Sequence, residues 1–355
     1  MQIRIEKLRV KLKKEKIDAL LVNDPANRRY LSGFTGTAGS LLITQQDAML
    51  VTDFRYTEQA EVEAADYEII EFNDSKLEML SQLINEQQIE ILGFEAEHET
   101  YDQYLKYQDK LDLELKATKG LVKEIRKVKD QTEVTKIKEA VQITEEAFFE
   151  IQQSLQPGVI ERDIAAELEF LLRKKGASGK SFDFIVASGK RSALPHGVAS
   201  EKEIEVGDLV TIDFGCLYKG YCSDMTRTVV VGDGPTKKQK EVYYTVLEAQ
   251  QESLKGIKAG VKASDVDQVA RDIITKASYG DYFGHGLGHS VGLEIHEGPR
   301  LSPKDDTVLE PGMVLTVEPG IYLPDWGGVR IEDIVVVTED GCQVLNKFNK
   351  ELIVV

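Results

Sequence analysis

The chain has 355 residues, 42% of them hydrophobic, and 44 lysines and arginines stand against 61 aspartates and glutamates for a net charge of −17. Such a length and composition leave room for two hydrophobic cores and exclude a disordered or low-complexity protein. The acidic balance argues against a nucleic-acid partner, which needs a basic surface, and no apolar run approaches the roughly 18 residues of a membrane span.

The opening stretch MQIRIEKLRVKLKKEK places Ile5, Leu8 and Leu12 at helical spacing. It predicts an amphipathic first helix, and its charges make it a poor secretion signal. Next, IDALLV, SLLIT, AMLVTD, EIIEF, EILGFE and LELKA read as strands, with RYTEQAEVEA, KLEMLSQLINEQ and TYDQYLKYQDKL as helices among them. This alternation predicts an α/β domain around a mixed sheet, with His98 on its surface. Around KGLVKEIRKVKD the pattern turns basic and the strand signal ends. Asp130 and Glu133 then have the spacing of a capping box, opening a long helix whose apolar face is Val134, Ile137, Val141, Phe148 and Ile151. The expected domains are therefore residues 1–125 and 126–355.

The second domain carries an internal repeat. Gly158-Val159 followed by Asp163 recurs as Gly260-Val261 followed by Asp265, each between a long predicted helix and a shorter one. Gly207, Thr211, Asp213 and Gly215 recur at matching offsets as Gly312, Thr316, Glu318 and Gly320. Each half thus supplies one carboxylate at the same place and a second a short hairpin later, Asp224 after Asp213 and Glu332 after Glu318. A pseudo-two-fold arrangement would gather all four between the halves.

Five residues stand out as metal ligands. Asp213 ends the apolar run LVTID, Asp224 opens SDMTRTVVV, Glu318 lies in MVLTVEPG, Glu332 lies in VRIEDIVVV, and His289 closes GHGLGH. Read this way, four carboxylates sit on strands, with Asp213 and Asp224 on opposite strands of one hairpin. Taken singly, each aspartate is as well explained by a capped turn or a pair with Arg227. Together they are too many anions for one buried site without cations, and two divalent ions sharing carboxylates would answer that charge. GHGLGH is no phosphate loop, because Val291 stands where a glycine is needed, and His296-Glu297 lacks the second histidine of a zinc-protease motif. Its glycines are expected to let the backbone pass close to the ions. Cys216, Cys222 and Cys342 form no metal-binding or redox pair and suggest a reduced, cytoplasmic protein.

The motifs IDFGCLYKGYCSDMTRT, GHGLGHSVGLEIHEGP, LTVEPGIY and VRIEDIVVV resemble those of the pita-bread metallopeptidases, family M24. NRRYLSGFTGTAG…VTDFRYTEQA resembles the extra N-terminal domain of the proline-specific branch, the Xaa-Pro dipeptidases (prolidases) and aminopeptidases P. The resemblance implies an α/β creatinase/prolidase-like N-terminal domain with a mixed sheet. It also implies an α+β pita-bread catalytic domain with a pseudo-two-fold repeat, and a homodimer in which the first domain helps close the neighbour's site. It assigns Asp213 to one metal ion and His289 and Glu318 to the other, with Asp224 and Glu332 bridging. The oxygen-rich set favours manganese, with zinc or cobalt as alternatives. Two such ions about 3.5–4 Å apart would make hydroxide available near neutral pH. By the same resemblance Glu318 is general base and proton shuttle, His196 and His296 stabilise the oxyanion, and His285 lines the proline side.

The expected substrates are small peptides with proline second, and two arginines bear on which. Arg300 either anchors the free carboxylate of an X-Pro dipeptide or is a rim residue bound to an acidic neighbour. Arg330 either supports the metal carboxylates or shapes the far side of the substrate site. The dipeptidase reading is favoured, with aminopeptidase P as the alternative. A metal-free creatinase-like hydrolase or a non-catalytic binding module is a further alternative, which the intact ligand set opposes.

Overall fold

Helix α1 (Gln2–Glu15) buries Ile5, Leu8 and Leu12, as their spacing predicts, in the computed structural model, which describes residues 2–355. The chain divides into two units, the first ending at Arg126 and the second spanning Lys127–Val355.

In the first unit β1 (Ala19–Val22) leads into α2 (Pro25–Ser32), β2 (Ser40–Thr44), β3 (Ala48–Thr52) and α3 (Thr57–Glu63). Then follow β4 (Glu68–Glu71), α4 (Lys76–Glu86), β5 (Ile91–Glu95), α5 (Tyr101–Lys110), β6 (Glu114–Thr118) and α6 (Leu121–Arg126). The six strands form one sheet in the order β4-β3-β2-β1-β5-β6. The β1–β2 and β2–β3 pairs are antiparallel and the other three parallel, so the sheet is mixed as expected. Helix α2 is absent from the sequence reading, although its signals are local. The Asp24 carboxylate caps the Asn27 N–H at 2.8 Å, Pro25 opens the helix, and Gly33 closes it at φ 83°.

The second unit opens with α7 (Gln131–Ile151), where the predicted Asp130–Glu133 capping box forms. Val134, Ile137, Val141, Phe148 and Ile151 are all buried along it. At about 1.5–3 kcal/mol for each large apolar side chain fully removed from water, that face anchors the helix. After α8 (Glu161–Lys174) come β7 (Gly179–Lys180), β8 (Ile185–Ser188), β9 (Leu209–Phe214), β10 (Cys216–Tyr218), β11 (Tyr221–Cys222) and β12 (Met225–Val230). The second half repeats the plan with α9 (Lys237–Gly256), itself opened by a Thr236–Gln239 capping box, and α10 (Ala263–Lys276). Its strands are β13 (Gly288–Ser290), β14 (Glu297–Leu301), β15 (Val314–Val317), β16 (Gly320–Leu323), β17 (Gly327–Arg330), β18 (Asp333–Val337) and β19 (Cys342–Val344), and β20 (Ile353–Val354) ends the chain.

The two larger sheets run β20-β12-β9-β8 and β14-β13-β15-β18-β19. One core packs α7 and α8 on the first, and another packs α9 and α10 on the second. The repeated glycines share one conformation, with φ 88° and 85° at Gly158 and Gly260 and 88° and 89° at Gly207 and Gly312. Only glycine enters that left-handed region without strain, so the turns before the short helices and before β9 and β15 are equivalent. The α/β and pita-bread architecture expected of the sequence is thus observed.

Candidate active site

Asp213 lies in β9, pairing across to Thr226 of β12, and Asp224 stands just before β12. The two strands are antiparallel neighbours, but the separate hairpin β10–β11 is inserted between them. Glu318 follows the end of β15 and Glu332 precedes β18, at the open end of the pair that matches Val317 with Asp333. Of the four carboxylates only Asp213 is inside a strand, which corrects the expectation that all four are. Past the last ladder pair, the Glu318 and Glu332 N–H groups turn away from each other and donate to the Leu287 and Thr226 carbonyls, at 2.8 and 3.2 Å. The repeat is also looser at the second carboxylate. Extending the registers sets Glu332 opposite Glu318, whereas Thr226 faces Asp213 and Asp224 falls two residues earlier.

All ten residues singled out in the sequence line one cleft of about 580 Å³. Asp224, His289 and Glu332 each offer a ligand atom within 4.8 Å of the others. His289 Nε2 lies 3.6 Å from Asp224 Oδ2 and 3.4 Å from Glu318 Oε1. Its Nδ1 sits 3.1 Å from the Ser290 carbonyl oxygen. A carbonyl only accepts, so the proton belongs on Nδ1 and the Nε2 lone pair faces the carboxylates, the orientation of a metal ligand. Burial, with His296 and Arg300 nearby, holds this imidazole down to about 4, neutral at ordinary pH.

The anions are crowded. Burial, reinforced by the neighbouring carboxylates, pushes the Asp224 and Glu332 carboxyls well above the usual range. Burial and Asp213 push Glu318 up as well, with Arg330 pulling the other way. Asp213 Oδ1, Asp224 Oδ1 and Glu332 Oε1 are buried without any hydrogen-bond partner. Buried polar atoms are ordinarily satisfied, and unpartnered carboxylate oxygens in a cluster that also presents an imidazole lone pair fit divalent cations. Each half holds a carboxylate of the other. Arg330 Nη2 donates to Asp213 Oδ2 at 2.6 Å, and Thr226 Oγ1 donates to Glu332 Oε2 at 2.7 Å. Arg227 pairs with Asp333 at 2.8 Å, not with either aspartate of the site.

On the substrate side, His196 and His296 are exposed in the cleft, and neither ring nitrogen is hydrogen-bonded among the described residues. The His296 ring stands edge-on to His289 with centroids 4.5 Å apart. His285 donates from Nδ1 to the Gly286 carbonyl at 2.8 Å and accepts at Nε2 from the Tyr322 hydroxyl at 2.8 Å. Arg300 is exposed on the same wall, with no acidic side chain within ion-pair distance among the described residues. Only its backbone N–H is engaged, with Asp305. Arg330 is buried beneath the carboxylates.

Residues 135–339 match metallopeptidase family M24, and residues 4–128 match the creatinase/prolidase N-terminal domain. The chain belongs to metallopeptidase family M24. It is 42% identical to the Xaa-Pro dipeptidase of Pyrococcus furiosus, over 99% of this chain and 100% of that one. The structure of an Xaa-Pro dipeptidase from Bacillus anthracis superposes with a TM-score of 0.98 at 50% identity, covering 100% of this chain and 99% of the other. An X-Pro aminopeptidase from Thermotoga maritima gives 0.92 at 44% identity, covering 96% and 98%.

Several residues of this M24 site escape a reading of motifs. Tyr322 accepts from Arg330 Nη1 at 2.9 Å while donating to His285, linking the metal side to the substrate side. Thr316 accepts the His289 N–H at 2.9 Å and donates to Glu318 at 3.1 Å. The recurrence of Thr211 as Thr316 was the signal for that hydroxyl. Deeper, two acids fix the loops that carry the substrate-side histidines. Glu161 accepts from the N–H and hydroxyl of both Ser188 and Ser200 and from Arg191, flanking His196. Asp267 holds the Leu287 N–H and Arg271, which itself binds the Phe283 and His285 carbonyls. Nothing local distinguishes these acids from surface ones. The glycine expectation is corrected at Gly288, where a Cβ would overlap the Thr316 carbonyl oxygen. The constraint seen there comes from the adjacent strand.

Proposed function

We propose that this metallopeptidase cleaves the peptide bond before proline in small X-Pro substrates and prefers dipeptides. The observation that carries this reading is Arg300, an exposed guanidinium in the cleft with no ion-pair partner among the described residues. A fork of donors left open beside the reaction site suits a substrate carboxylate. Asp213, Asp224, His289, Glu318 and Glu332 would hold two divalent ions, with Asp224 and Glu332 shared, and the hard oxygen-rich set favours manganese over zinc or cobalt. When bound, the ions supply Lewis acidity to activate water and polarise the scissile carbonyl.

The remaining steps belong to the chain's own groups. Glu318, whose carboxyl is raised by burial, takes the proton of the attacking water and delivers it to the proline nitrogen. That nitrogen carries no hydrogen in the substrate amide and must gain one to leave as an amine. His196 and His296, both free to donate, face the developing oxyanion. His285 has both ring nitrogens occupied, so it offers the proline ring a surface and no hydrogen bond. Phe182, Ile185, Pro195, Val198 and Ile295 form an apolar wall that keeps water from the rest of the substrate. Likeness to the Thermotoga X-Pro aminopeptidase supports a second reading, in which longer peptides are preferred and Arg300 stays at the rim.

The test is hydrolysis of an X-Pro dipeptide against an X-Pro-Pro tripeptide, after chelation and again with manganese restored. Manganese-dependent cleavage mainly of the dipeptide supports the first reading. Preference for the tripeptide supports the second, and metal-independent cleavage refutes both. We place the enzyme in the cytoplasm, in keeping with its three unpaired cysteines, and take the homodimer from the resemblance of its motifs. No described helix is long and apolar enough to cross a membrane.

A further inference from the structure

We infer that Lys129 is a positioning residue, whose buried ammonium locks the strand irregularity that brings His289, His296 and Arg300 to one cleft. The proposal rests on the hydrolase reading above. Strands β13 and β14 pair His289 with Arg300, yet the next pair is Ser290 with Glu297, so the register jumps between them. A bulge of this kind redirects side chains, and it must be held, because its extra residues have no ladder partners. Lys129 holds it. Its Nζ, with a side chain 1% exposed, donates to Ser290 Oγ at 2.8 Å and to Glu297 Oε2 at 3.1 Å, the two residues of the first pair past the jump.

Each of those residues follows a functional histidine in the chain. Ser290 also supplies the carbonyl that orients His289 Nδ1, and Glu297 directly succeeds His296. The other Glu297 oxygen accepts the Glu294 N–H at 3.2 Å, tying the approach to His296 into the same cluster. Lys129 touches neither substrate nor any proposed ligand, so its effect passes through the placement of β13 and β14. Displacement of reacting groups by about 1 Å can lower turnover by about a hundredfold.

The variants are Lys129→Met, the double variant Lys129→Met/Glu297→Gln, which removes both charges of the ion pair, and Ser290→Ala, which keeps the ion pair. In the metal-loaded full chain, Lys129→Met and the double variant should each lose about 10–100-fold in kcat/KM on an X-Pro dipeptide. KM should rise along with the fall in kcat, because His296 and Arg300 move together. The double variant should stay impaired even where its Tm returns to that of the parent. Ser290→Ala should show a smaller change of the same kind. A loss confined to kcat in proportion to unfolded protein, or parental kcat and KM in any folded variant, overturns the proposal. Ring signals of the five histidines in isotope-labelled, metal-free protein provide a second readout, which stands even if the parent cleaves no X-Pro peptide. His289 and His296 should shift in Ser290→Ala and in Lys129→Met while His98 does not, and unmoved His289 and His296 signals refute the clamp.

Discussion

Replacing Arg330 by Met tests the charge balance of the site most directly. Its guanidinium is the cation bonded to the carboxylate cluster, with a 2.6 Å bond to Asp213 and side-chain exposures of 3% and 13%. It also donates to Thr226 Oγ1, the Pro195 carbonyl and the Tyr322 hydroxyl. Methionine fills similar space without charge and strands four acceptors. Breaking a buried pair by removing one partner costs about 3–5 kcal/mol. At about 2–4 °C per kcal/mol for a unit of this size, the chelated variant should melt roughly 6–20 °C below the parent. Divalent ions should recover part of this, because an ion entering the variant no longer meets a like charge beside Asp213. If the ion binds the variant about tenfold more tightly, the deficit narrows by about 1.4 kcal/mol, or roughly 3–6 °C. Thermal unfolding of both proteins, with chelator and with manganese, measures the two gaps. An equal gap under both conditions would show that the bound ions do not feel the Arg330 charge, and the charge argument would fail.

Asp224→Asn should reduce manganese-dependent cleavage by more than the roughly 10–100-fold typical of losing a residue behind the ligands, as initial rates with and without chelator will show. Arg300→Ala should lower kcat/KM for an X-Pro dipeptide by about 10–150-fold, the worth of a charge-assisted pair of about 1.5–3 kcal/mol, and change a tripeptide less. An equal effect on both peptides would return Arg300 to the rim. Burial, with Arg330 opposing its charge, holds His285 down to about 4 against an ordinary 6.5. A folded value below the unfolded one means the stabilisation is complete above about pH 6.5 and is lost as pH falls toward 4. Between about pH 6.5 and 5 the loss is at most about 2 kcal/mol, at about 1.4 kcal/mol per unit. Urea unfolding of metal-free His285→Gln should show a flatter pH dependence than the parent over that range, and identical slopes would refute it.

The sequence by itself determined much of this protein, wherever the signal was local or repeated. Periodic apolar residues marked α1 and α7, Asp130 and Glu133 marked the start of α7, and the repeated glycines marked equivalent turns that only glycine enters freely. Asp213, Asp224, His289, Glu318 and Glu332 were legible because ionisable groups at the ends of apolar runs are costly to bury without cations. Helix α2 was equally written, in Asp24, Pro25 and Gly33, and was passed over. Tertiary structure alone decided what depends on residues far apart in the chain. Arg330 reaches Asp213 across 117 positions and Lys129 reaches Glu297 across 168, so no spacing rule connects either pair. Arg227 had Asp213 and Asp224 close in sequence yet pairs with Asp333, because its strand lies beside the other half of the fold. Glu161 and Asp267 look like ordinary helix acids until folding brings Ser188 and Ser200 against the first and the Leu287 N–H against the second. Local chemistry chose the ligands, and long-range packing chose what holds them in place.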